Sequence, residues 1–98
     1  MKLIQVYEIH EVVGKGISLG GTNPNLDHLT DKDFEEYIGR GVRIKLPEGT
    51  IVRSKILDLD SSSSIVDKKN IFILVERNDA TLAISTNSEV WLDSEEDT

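Results

Sequence analysis

Carboxylates are the residues of this chain with the best spacing for chemistry. Asp31, Asp33, Glu35 and Glu36 fall close together, and Asp58 and Asp60 form a second group. Paired acids run general acid–base catalysis when burial splits their pKa values. Here both groups lie in polar, turn-like sequence, where solvent keeps carboxylates ordinary. They are therefore expected to form a partner-binding surface for lysines and arginines, not a catalytic pair. His10 sits beside Glu11 in a strand-like run and His28 follows Asp27 in a loop. A metal site needs a third converging ligand, and none is evident, so no metal, cofactor or catalytic site is assigned. The serine run Ser61–Ser64 has neither a nucleophile-elbow pattern nor a nearby histidine. Gly14, Gly16, Gly20 and Gly21 lack the spacing and the following βαβ unit of a dinucleotide site. Arg40, Arg43, Lys45, Arg53 and Lys55 form the cluster of positive charge. It reads as a solvated sheet face or as a small phosphate- or acid-binding patch. Trp91 reads as a core or stapling residue.

Composition bounds what can position these groups. The chain has 98 residues, 38% hydrophobic and 30% charged, which suits one globular domain spanning 1–98. A net charge of -7 disfavours a general nucleic-acid binder and favours a basic protein partner. With no cysteine, disulfides and thiolate chemistry are excluded. No apolar run is long enough to span a bilayer. Met1–Val6 lacks the apolar stretch of a signal peptide, so a cytoplasmic location is expected.

The stretch Ile38–Leu59 organises the rest. Val42, Ile44 and Leu46 alternate with Arg43 and Lys45; after Pro47-Glu48-Gly49, Val52, Ser54 and Ile56 alternate with Arg53 and Lys55. Period two on both sides of a turn predicts a hairpin with its charges outward. Leu3–Val13 is rich in β-formers but changes phase between Val6 and Tyr7, which predicts a bulge or bend. Gly20-Gly21 predicts tight turns or close backbone crossings at a barrel corner. Thr22–Leu29 reads as a loop. Thr30 is a good N-cap for a short helix over 31–38, with Asp33 in a capping box and Phe34, Tyr37 and Ile38 on one face.

Asp60–Ser64 reads as a polar loop with nothing to bury, and Ile65-Val66 as packing back before Asp67-Lys68-Lys69-Asn70. Ile71–Val75 predicts a strand covered on both faces. Asn78-Asp79 turns the chain, Leu82 and Ile84 anchor a short connection, and Ser88–Leu92 reads as the closing strand. Asp93–Thr98 reads as a flexible acidic tail. The sum is an all-β fold, a small antiparallel β-barrel of about six strands with a short helical insertion.

These motifs resemble the β-barrel second domain of elongation factor Tu and related translation GTPases. Val6-Tyr7-Glu8-Ile9 is similar to that barrel's first strand, Gly14-Lys15-Gly16 to its Gly-Arg-Gly turn and Ile17–Gly21 to its second strand. Ile38–Ile44 is similar to its Val-Gly-Asp-x-Val-x-Ile strand, with Arg40 where an acid is usual, and Ile71–Val75 to its core strand. His10-Glu11-Val12 stands as an insertion, and Asn23–Tyr37 exceeds the family's usual connection. No Gly-x-x-x-x-Gly-Lys-Ser/Thr loop occurs, so the resemblance implies a barrel without nucleotide chemistry. In that family the barrel docks other domains and helps hold the aminoacylated tRNA end.

Two functions are expected from these readings. The first is a non-enzymatic, acidic protein-binding module: an immunity- or antitoxin-like inhibitor covering a basic, RNA-cleaving toxin. The alternative is a translation-associated accessory module touching RNA or a ribosomal factor through Gly14–Gly16 and the Arg40, Arg43 and Lys45 face. A barrel that only builds a homo-oligomer is the third.

Overall fold

The computed structural model describes residues 1–63 and 69–93. Its strands are β1 (Lys2–Val12), β2 (Gly16–Thr22), β3 (Gly41–Lys45), β4 (Ile51–Lys55), β5 (Asp58–Ser63), β6 (Lys69–Val75) and β7 (Glu89–Leu92). Two short helices, α1 (Asp31–Glu35) and α2 (Asp79–Leu82), and a 3₁₀ turn at Pro24–Leu26 complete it. The fold is all-β. All strand pairs are antiparallel, in one 7-stranded sheet of order β4-β3-β7-β1-β2-β6-β5.

The expected hairpin is β3–β4. Arg43 pairs with Arg53 and Ile44 with Val52. Val42, Ile44, Leu46 and Val52 are buried, while Arg53 and Lys55 point outward. The turn closes with the Leu46 N–H donating to Thr50 O at 2.8 Å, and Gly49 takes a φ of +102° that a side chain would strain. In β1 the phase change is a bulge: the register against β2 shifts between Val6 and Glu8. A second shift, against β7 between Lys2 and Ile4, lets the consecutive residues Leu3 and Ile4 both face the core. Gly21 sits opposite the bulge, where an added Cβ would lie 2.2 Å from Gln5 O, so the close crossing read from Gly20-Gly21 is real.

Three expectations change. The sheet is not a closed barrel. Its edges, β4 and β5, do not pair with each other, yet only Ile56 and Leu57 separate them in sequence. A linker that short spans at most about 10 Å, so the sheet must curl until its edges nearly meet at that corner. The backbone groups there are taken elsewhere: the Leu57 N–H donates to Leu74 O, and Ile56 exchanges bonds with Gly39 and Arg40. Next, Asp58–Ser63 is an edge strand where a polar loop was expected from Asp60 onward. Leu59 is buried, and all six residues pair in unbroken register with β6. Lastly, Glu89–Leu92 does not close an edge. It lies in mid-sheet between β3 and β1.

Smaller differences follow from burial. Ile71, Ile73 and Val75 are buried but Phe72 and Leu74 only half so, because the outer face of β6 is open. Ile84 anchors its connection as expected, whereas Leu82, on α2, is 50% exposed. The packing expected of Ile65-Val66, the rest of the run 64–68 and the tail from Ser94 lie outside the described residues.

Helix α1 forms where expected and is shorter. Thr30 and Asp33 make a full capping box: the Thr30 N–H donates to Asp33 Oδ2 at 2.8 Å and the Asp33 N–H to Thr30 Oγ1 at 3.3 Å. Phe34 is buried, Tyr37 packs partly against the core, and Ile38 is 40% exposed. Gly39, at φ +90°, ends the turn by donating to Ile56 O at 2.7 Å.

The backbone N–H and hydroxyl of Thr30 hold the Asp33 carboxyl below its ordinary value of 3.8. A depressed folded value stabilises fully above the unfolded value, and that stabilisation is lost as pH falls through the folded one. The Thr30 amide proton resonance should therefore titrate at a pH below 3.8, and the inflection should vanish in Asp33→Ala.

Candidate functional site

The predicted acids divide between two faces of β5: Asp58 and Asp60 point outward, and Asp31 meets the other face. Asp31 Oδ1 accepts from Ser61 Oγ at 2.9 Å, which ties α1 to the edge strand carrying Asp58 and Asp60. Their tasks differ. Asp33 is used by the capping box. Asp58 and Asp60 each accept the amide of the following residue, Leu59 and Ser61, at 2.9 Å. These two amides are two residues apart and so project from one side of β5. Asp31, Glu35, Glu36, Asp58 and Asp60 are exposed, and Asp33 is half-buried.

Register places the β5 acids beside apolar surface. On the outer face of β1, β2, β6 and β5, one cross-strand row runs His10–Ser18–Leu74–Asp58 and the next Glu8–Gly20–Phe72–Asp60. An added Cβ on Gly20 would come 3.0 Å from Phe72 Cε1, so the absent side chain leaves room for the ring. Glu8 holds His10, Oε1 to Nε2, at 2.6 Å. A shallow hollow of about 400 Å³ lies here, lined by Val12, Phe72 and Leu74 together with Asp58, Asp60, His10 and Lys15.

The opposite half of the sheet carries the cations. Its rows are Arg53–Arg43–Trp91–Lys2 and Ile51–Lys45–Glu89–Gln5, with Lys55 beside Gly41. The shared outer face expected for Arg43, Lys45, Arg53 and Lys55 is present. Arg40 stands apart from it, with its guanidinium 5.8 Å from the centre of the Tyr37 ring. Trp91 is a correction: Val90 and Leu92 are buried, so Trp91 between them faces outward and is only half-buried. Its indole N–H donates to Glu89 Oε1 at 3.2 Å, and Lys2 Nζ donates to Glu89 Oε2 at 3.4 Å. The indole bond, aided by Lys2 and Lys45 and opposed by burial, holds the Glu89 carboxyl below its usual range. Asp93 lies between two arginines, 2.8 Å from Arg43 Nε and 3.7 Å from Arg53 Nη1.

A groove of about 850 Å³ lies along β1 and is lined by Gln5, Tyr7, Asn25, His28, Tyr37 and Asn87 among others, with no carboxylate among its described lining residues. His28 lines it and His10 does not. Among the described residues no three histidine, aspartate or glutamate side chains gather to hold a metal ion, and no helix is long and apolar enough to cross a membrane.

Comparison with family models, with curated proteins and with solved structures gave no match.

Proposed function

We propose that the protein is a non-enzymatic binding module whose β5–β6 face covers a basic protein, in the manner of an immunity- or antitoxin-like inhibitor of an RNA-cleaving toxin. One observation carries the reading: half-buried Phe72 and Leu74 face outward with Asp58, Asp60 and Glu8 beside them, against a single lysine, Lys15, in the same hollow. Apolar floor and charged rim are the anatomy of an interface, where the floor supplies affinity and the rim supplies steering. Asp31, tied to Ser61, meets the other face of β5, so the α1 acids border this face only across the strand edge. A partner bearing arginine or lysine around an apolar side chain would meet both.

The test is capture from the native lysate followed by association kinetics against ionic strength. The expected partner is basic and cleaves RNA only when free of this chain. Its association rate should fall at least about tenfold between about 0.05 and 0.5 M salt. A rate flat across that range would overturn the reading.

A further inference from the structure

The cationic face lies on the far half of the sheet from the acidic one. Lys2, Arg43, Lys45, Arg53 and Lys55 surround Trp91 and Ile51, with Glu89 and Asp93 the acids among them within the described residues. On a chain of net charge -7 this is a strong local reversal of sign. Two apolar side chains stand in its middle. Ile51 is 47% exposed, and Trp91 walls a hollow of about 300 Å³ shared with Arg43, Lys45, Ile51 and Glu89. The bond from its indole N–H to Glu89 orients the ring before any partner arrives.

Spacing says what fits. Residues two apart on a strand share a face and stand about 6.6 Å apart, which is the separation of Arg43 from Lys45 and of Arg53 from Lys55. An extended peptide has the same period. Two carboxylates two positions apart would reach Arg53 and Lys55 while an apolar side chain two positions beyond them, level with Ile51, enters the hollow. The chain already displays the chemistry in miniature, since Asp93 lies within 4 Å of both arginines. Nucleic acid fits less well, because Glu89 and Asp93 interrupt the continuous positive track that a phosphate backbone follows. We infer that the outer face of β3, β4 and β7 docks an extended acidic segment of a second protein, of pattern acid-x-acid-x-apolar. The molecule would then hold a basic partner on one face and an acidic one on the other.

Trp91 is the only tryptophan in the sequence, so its emission reports directly. The probe is a synthetic peptide with two glutamates two residues apart and a leucine two residues beyond the second, added to the full chain. The expected result is a saturable blue shift, weakened about tenfold by Arg53→Glu and unchanged by Lys32→Glu, which alters net charge equally from helix α1. Arg53 has a 73% exposed side chain, so its variant should stay folded. No shift at millimolar peptide would overturn the inference. So would an equal response to the lysine-for-glutamate peptide, tighter binding of oligouridylate than of the acidic peptide, or a shift caused by self-association and tracked by mass in solution.

Discussion

Phe34→Ala is expected to cost about 3–5 kcal/mol, measured as a lowered urea midpoint at unchanged slope. Phe34 is 1% exposed and the largest fully buried side chain. It is also the one buried residue of a five-residue helix, which is too short to persist on its own propensity. Capping adds about 1 kcal/mol at most positions of this kind, so burial must supply most of what holds α1 in place. Removing the ring also removes the contact with Lys69, whose ammonium lies 5.7 Å from the ring centre. Against a typical total of about 5–15 kcal/mol, the loss is a large fraction. Release of α1 should also break the Asp31–Ser61 bond that ties the helix to β5. A loss under about 1 kcal/mol would show that α1 rests on its caps instead.

Reversal of both edge aspartates, Asp58→Lys with Asp60→Lys, is expected to slow association with the basic partner by about a hundredfold at low salt. The reversal changes two functions together, and milder variants separate them. Asparagine removes the charge but keeps an oxygen able to accept the Leu59 and Ser61 amides. Alanine removes both. The double asparagine variant should therefore lose association rate yet stay monomeric. The double alanine variant should lose the same rate and also self-associate on a sizing column, because unprotected strand edges pair with one another. If both variants bind at the unaltered rate, Asp58 and Asp60 serve only the strand edge. The proposed interface must then lie elsewhere.

Local pattern was readable where one chain segment decides the outcome. Val42, Ile44 and Leu46 needed only their alternation to predict β3, and Thr30 with Asp33 needed only three residues to predict the start of α1. The phase change at Val6-Tyr7 announced the bulge for the same reason. What stayed hidden depends on distant partners. Asp58–Ser63 holds a single apolar residue, Leu59, and becomes a strand because β6 offers it a ladder. The unclosed sheet follows from where β4 and β5 find their partners, and no window of sequence contains that. The six acids were visible as a group, but not their separate uses: Asp33 for its helix, Asp31 for Ser61, Asp58 and Asp60 for adjacent amides. Trp91 was within reach. Its neighbours Val90 and Leu92 alternate with it, and reading their phase would have turned the indole outward.

The position of β7 has a bearing on how the molecule is made. The strand latest in sequence is the one that joins the β3–β4 hairpin to β1 and all that follows it. A nascent chain must therefore keep two partial sheets apart, each with an open seam, until residues near 90 have left the ribosome. Contacts of such long sequence separation place folding toward the millisecond-to-second end of the range. For that interval the seam between β1 and β3 is the point at which a chaperone, or another copy of the same unfinished chain, can bind.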